Sequence, residues 1–153
     1  MPIDRRLLIR AGFAALPALL PLTPRAQGAA PQVVASFSIL ADMARELAPA
    51  GVQVTALVGP DADAHVYAPS PADGRRLAQA DLVLINGLGF EGWIERMVKV
   101  SGYRGAVLVA SQGVRTRSGG HHDVDPHAWQ DLKLARRYAS NISAAFAERW
   151  PGQ

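Results

Sequence analysis

From about residue 32 onward, short β-branched runs alternate with stretches in which apolar residues recur every three or four positions. That alternation is the pattern of βα units built around a parallel sheet. The runs predict strands at 33–36, 52–58, 82–86 and 106–109. Helices are predicted to fill the gaps. Residues 39–47 carry Ile39, Leu40, Met43 and Leu47 at helical spacing, with Ser38 as cap. A second helix opens on Ser70 as N-cap, Pro71 in the first turn and Asp73 near the positive end of the helix dipole, and runs to about Ala80. A third covers 91–100, with Ile94, Met97 and Val98 on one face and Gly102 as its stop signal. The last spans 132–149 behind Asp131 as cap, burying Leu134, Tyr138, Ile142, Ala145 and Phe146, and ends at Trp150-Pro151. The expected class is α/β, a four-stranded mainly parallel sheet flanked by helices.

Two connections are longer than the few residues such units need, 59–69 and 110–130. Both follow strands, so both leave the carboxyl edge of the sheet, where ligands bind in open α/β folds. They are predicted to face each other. The turn Asn86-Gly87-Leu88-Gly89 could suggest a phosphate cradle, but a bare GxG without the wider fingerprint reads better as a tight strand-to-helix turn. Trp93 and Trp129 are expected in the core or at a lobe contact rather than as lining of a crevice.

The first 28 residues depart from this pattern. A charged stretch ending at Arg10 precedes an apolar run from Ala11 to Leu22, which is followed by small residues around Ala26-Gln27-Gly28. Basic, apolar and cleavable in that order, 1–28 reads as a signal peptide, and Arg5-Arg6-Leu7-Leu8 approximates a twin-arginine signal as well as it suits ordinary Sec export. This partition changes what the composition means. The chain has 16 Lys+Arg against 13 Asp+Glu and a net charge of +3, but the leader holds four Arg against one Asp, leaving 12 of each sign in 29–153. A neutral body lacks the basic stripe that nucleic acid requires. With no Cys in the sequence, thiolate metal sites, disulfides and an acylated N-terminal Cys are all absent, so export implies a soluble periplasmic protein without a lipid anchor.

All four histidines, His65, His121, His122 and His127, fall in the two long loops. Histidines in loops are commonly solvated and without a role; confined to two converging loops, they can equally bind a metal, imidazole being the strongest donor a Cys-free chain has for late divalent ions. His65 lies between Pro60 and Pro69 and His127 directly follows Pro126, which stiffens both backbones. His121 and His122 follow Gly119-Gly120 and suit a mobile capture segment. Asp61, Asp63, Asp123 and Asp125 can orient the rings or offset a cation's charge.

These residues carry a resemblance. The stretch DAHVYAPSP at 63–71, ADLVLINGLGFEGW at 80–93 and DPHAWQD at 125–131, in that order and spacing, resemble the zinc/manganese-type periplasmic solute-binding proteins of bacterial ABC metal importers, the cluster A-I family. The resemblance implies that His65 and His127 are two of the metal ligands and that His121 and His122 are the remnant of a His-rich capture loop. It implies Zn²⁺ or Mn²⁺ as the transported ion and an inner-membrane ABC permease as partner, without catalysis. Family members are about twice as long and hold the metal between two lobes. Residues 29–153 thus correspond to the N-terminal lobe, and the remaining ligands belong to a second lobe. An uncovered lobe face would favour self-association. Two other readings are a fragment that binds no metal tightly, and a metal-dependent hydrolase with Asp63 or Asp125 as base. The hydrolase lacks an HExxH or comparable pair.

Overall fold

The structure is a computed structural model that describes residues 29–115 and 124–152. The proposed leader 1–28, and with it any choice of export route, lies outside the described residues, as do His121, His122 and Asp123. The described residues form the strands β1 (Gln32–Phe37), β2 (Gln53–Val58), β3 (Leu82–Ile85) and β4 (Ala106–Val109), and the helices α1 (Ser38–Leu47), α2 (Pro71–Ala78), α3 (Ile94–Ser101) and α4 (Leu132–Arg149). The strands join in one sheet of order β2-β1-β3-β4, with every pair parallel. β1 and β3, at the centre, are covered on both faces and are buried almost throughout. That burial explains why they read as unbroken apolar runs rather than as alternating strands.

The strand order makes the chain wind in two directions, from β1 outward to β2 and from β3 outward to β4. With right-handed crossovers, this places α1 on one face and α2 and α3 on the other. The packing of α4 on α1 and of α2 on α3 follows that division. The winding reverses between β1 and β3, and a doubly wound sheet offers its binding crevice above that point.

Three expectations need correction. Ser38 does not cap α1: Phe37 is the N-cap and Ser38 the first helical residue, because β1 passes into α1 with no linker. The stripe of α1 is also shifted; Leu40, Ala41 and Ala44 are buried, whereas Ile39 is 44 % exposed at the carboxyl edge of the sheet. Finally, α3 starts at Ile94 and not at Glu91. Glu91 belongs instead to the turn that leaves β3, its carboxylate bonded back to Ser36, Asn86 and Gly87, and in that turn Gly87, Leu88 and Gly89 all adopt left-handed backbone conformations. At Gly87 (φ 82°) an added Cβ would also collide with the side chain of Val109, so the tight turn demands glycine there. The remaining helix ends behave as the sequence predicts. Ser70 and Asp73 form a reciprocal capping box on α2, Gly102 ends the third helix with φ 76°, and Asp131 accepts from Lys133 N–H at the start of α4. Among the described residues no helix is long and apolar enough to cross a membrane.

Candidate metal centre

The two long loops rise from the outer strands, β2 and β4, and lean inward over the ends of β1 and β3. They meet at His65 and His127, whose Nε2 atoms stand 3.0 Å apart. Asp125 Oδ1 lies 2.9 Å from His127 Nδ1. A carboxylate can only accept, so this contact assigns the proton to Nδ1 and leaves Nε2 of His127 with an outward lone pair. His65 Nε2–H then donates across the gap. A divalent ion would replace that proton, since two metal–imidazole bonds at a tetrahedral angle hold their nitrogens about 3.3 Å apart. The two rings need to part by only a few tenths of an ångström.

Each histidine is fixed through the peptide unit that precedes it. At the first loop, Asp63 Oδ1 accepts from His65 N–H at 2.8 Å, while the Trp93 indole donates to Ala64 C=O, the other end of the same peptide, at 2.8 Å. At the second loop, Asp125 Oδ1 accepts from His127 N–H at 3.0 Å, and the Asn86 carboxamide donates to Pro126 C=O at 3.0 Å. Only on the second loop does the aspartate also reach a ring nitrogen.

Behind the imidazoles stands an apolar wall. The Phe90 ring meets His65 edge-on with centroids 4.5 Å apart and His127 with centroids 5.6 Å apart. Phe37 and Trp129 pack against Phe90 from behind. The imidazoles front a cleft of about 220 Å³ lined by Phe37, Ile39, Asp63 and Phe90 as well. Trp129 is buried, as expected, yet it also lines this cleft, whereas Trp93 is buried in the core. Asp61 is exposed. Among the described residues, no group of three or more His, Asp or Glu is poised around one ion, so the described part of the chain supplies a pair of donors.

Two buried carboxylates support the site from below. Asp73, 1 % exposed, accepts from Ser70 N–H, from the Ser70 hydroxyl and from the Tyr67 hydroxyl at 2.8, 2.7 and 3.0 Å. Burial by itself would raise its pKa, but these donors together with the Arg76 guanidinium outweigh burial and hold it below the ordinary carboxylate value. Glu91, 4 % exposed, accepts from the Ser36 hydroxyl and from the N–H groups of Asn86 and Gly87. Among the described residues no cation stands beside it, and burial dominates, so its pKa is raised. Two N–H groups at the start of the GxG turn, those of Asn86 and Gly87, are therefore occupied by a carboxylate of the same chain, which already sits where a phosphate cradle would need donors. Burial also pushes the Tyr138 phenol up to about 12, so that it remains a donor towards Asn86 Oδ1 at 2.9 Å.

Sequence reading missed Phe37, Phe90, Ser36, Asn86 and Glu91. A carboxylate placed four residues after the first glycine of a left-handed turn was the available signal for Glu91; nothing local marks Asn86 as a partner of Pro126.

Residues 33–153 match the family described as Zinc-uptake complex component A, periplasmic. The chain belongs to that family. Among curated relatives, the chain is 33% identical over 124 residues to manganese-binding lipoprotein MntA of Bacillus subtilis, and 32% identical over 123 residues to iron-binding protein YfeA of Yersinia pestis. Each alignment covers 78% of this chain and 40% of the relative. Among solved structures, the periplasmic metal binding protein from Candidatus Liberibacter asiaticus superposes with a TM-score of 0.73 at 31% identity, covering 79% of this chain and 46% of that one. The four-stranded parallel sheet with flanking helices is thus the fold of periplasmic metal-binding proteins, and the chain spans less than half the length of the relatives it matches. Several relatives are named lipoproteins, which is at odds with an anchor-free reading of this chain.

Proposed function

We propose that this chain binds a divalent transition metal, Zn²⁺ or Mn²⁺, in the periplasm and delivers it to the permease of an ABC importer, with His65 and His127 as two of the ligands. The observation that carries this reading is the pair of Nε2 atoms 3.0 Å apart at the winding reversal of the sheet, one of them tautomer-fixed by Asp125. The relatives' metals support the ligand class: manganese and iron appear in their names, and the Liberibacter protein has been solved with manganese and with cadmium. Imidazole suits zinc and its neighbours, while manganese calls for further oxygen donors, so the ligands beyond these two decide between the ions.

The same reading treats 1–28 as an export signal and 29–153 as the N-terminal lobe of a two-lobed protein whose other lobe completes the metal shell. His121 and His122 act in capture rather than in the equilibrium site. The metal is cargo, and no turnover is assigned to it.

Calorimetric titration of the chain with Zn²⁺ and Mn²⁺ tests the proposal. Saturable binding that disappears in both His65→Ala and His127→Ala is the expected result. Unchanged affinity in either variant overturns it.

A further inference from the structure

We propose that Asn86 is the positioning residue for His127, and that Tyr138 of α4, acting through Asn86, sets where that imidazole stands; the inference deepens the metal-binding reading above and rests on it. Asn86 directly follows β3 and is fully buried, with every polar group engaged. Its N–H donates to Glu91 Oε1 at 2.7 Å, and its C=O accepts from Ser111 N–H at 3.2 Å. Its Nδ2 donates to Gly87 C=O at 2.9 Å and to Pro126 C=O at 3.0 Å, and its Oδ1 accepts from the Tyr138 hydroxyl at 2.9 Å.

This saturation fixes the orientation of the carboxamide. A phenol donor on Oδ1 forces the NH₂ group towards Pro126; the flipped amide would set oxygen against carbonyl oxygen and nitrogen against a hydroxyl donor. The Pro126–His127 peptide is then held at both ends, its C=O by Asn86 and its N–H by Asp125. With that plane fixed, rotation about the N–Cα bond and the two side-chain torsions of His127 remain, and Asp125 on Nδ1 restrains where the ring can stand.

α4 therefore grips the second loop by two routes. Besides the Tyr138–Asn86–Pro126 relay, Asn141 Nδ2 donates to Ala110 C=O and Gln112 C=O, at 2.8 and 2.9 Å, where the loop leaves β4. A small shift of α4 along the sheet would pass to the His127 peptide through the direct bonds from Tyr138 to Asn86 and from Asn86 to Pro126. The first loop has no such tie, because Trp93, which holds Ala64, lies on the β3–α3 turn.

The test uses the 153-residue chain and two variants. Asn86→Leu keeps the volume and deletes the donors and the acceptor; Tyr138→Phe deletes one oxygen. Amide hydrogen exchange is measured by NMR on metal-free protein, and Zn²⁺ affinity by calorimetry. In folded Asn86→Leu, the His127 amide should lose protection while the His65 amide keeps it. Zn²⁺ affinity should fall by about 10- to 100-fold, the range for outer partners of a metal site. Should Asn86→Leu fail to fold, Tyr138→Phe decides. It should give the same selective loss and a fall in affinity of about fivefold, the equivalent of one hydrogen bond. A folded deciding variant that keeps His127 protection and wild-type affinity, even with lowered thermal stability, overturns the proposal. If the wild-type chain takes up no Zn²⁺, the metal reading fails by itself, and amide exchange still decides what Asn86 holds.

Discussion

The two loops that bring His65 and His127 together end at nearly the same point but are built in different ways. The first is held mostly by its own neighbourhood. Tyr67, Ser70 and Asp73 bond among themselves, Ser70 and Asp73 also cap α2, and the distant hydrogen bond to the backbone beside the histidine comes from Trp93. The second is held from afar: Asn86 reaches Pro126 across 40 positions, and Asn141 reaches Ala110 across 31. A locally braced loop folds with its helix, whereas a remotely braced one takes its shape only after β3 and α4 are in place. The first histidine is thus a stiff reference and the second is the one the rest of the lobe can move.

The severest break of this comparison is removal of either ring. His65→Ala and His127→Ala should be equally damaging to Zn²⁺ binding despite their different bracing. Each leaves a single donor, and each should exceed the roughly 100-fold that loss of an outer partner costs. A large inequality between the two, read by calorimetry, would mean that one ring does not face the ion.

Next in size is the contrast between the two aspartates. Asp63→Ala and Asp125→Ala each remove an acceptor from the N–H of the histidine two residues on, but only Asp125 also touches a ring nitrogen. Affinity should therefore fall about 10- to 100-fold in Asp125→Ala and clearly less in Asp63→Ala. Equal losses would assign the whole effect to the backbone bond and remove the reason for fixing the tautomer.

The difference in bracing also decides what could be read from the sequence. The Ser70-Pro71-Ala72-Asp73 start of α2 is visible because its partners lie three residues apart, and the stop at Gly102 is likewise local. The central strands β1 and β3 are legible because their apolar runs reflect burial on both faces, and the half-exposed edge strands β2 and β4 because they are rich in β-branched residues. The convergence of His65 and His127 followed from loop lengths and the rule that such loops share an edge. Helix α3 was placed three residues early because Glu91 fits a helical start by composition. Its actual partners are Ser36, on a strand that only the fold brings alongside, and Asn86, just past the end of β3. The apolar wall at Phe37 and Phe90 was hidden for the same reason, since Phe37 ends β1 and Phe90 lies in the β3–α3 turn, 53 positions away.

A third prediction concerns stability. Asp73→Ala removes four accepted hydrogen bonds, among them the Asp73 half of the capping box, and leaves the Tyr67 hydroxyl without its acceptor. Thermal unfolding should show a loss of about 2 kcal/mol, at the upper end of what a helix cap contributes. Because the bracing of the second loop shares none of these groups, exchange protection at His127 should persist at temperatures where that at His65 has weakened. Simultaneous loss would show the loops to be one cooperative unit.

The smallest effect is the most discriminating, because the two buried carboxylates should respond to pH with opposite sign. Asp73 has its folded pKa below the ordinary 3.8, so its charged form is what the fold favours. Its contribution is fully present above the ordinary value and is lost as pH falls through the folded one. Glu91 has its folded pKa above the ordinary 4.5 because burial dominates and, among the described residues, no cation compensates. Its contribution is fully present below 4.5 and declines as pH rises through the folded value. Unfolding free energies of the protein, Asp73→Asn and Glu91→Gln, compared from pH 3 upward, should therefore diverge in opposite directions. The advantage of Asp73 over Asn should grow from acid towards about pH 4 and then stay level. The advantage of Glu91 over Gln should shrink as pH rises past 4.5. Parallel curves would show that Asn86 and Gly87 N–H, with the Ser36 hydroxyl, stabilise a charged Glu91 as fully as Arg76 and its companions stabilise Asp73. In that case the turn beneath His127 would be braced by an anion after all, and the contrast between a charge-held loop and a relay-held one would reduce to distance along the chain alone.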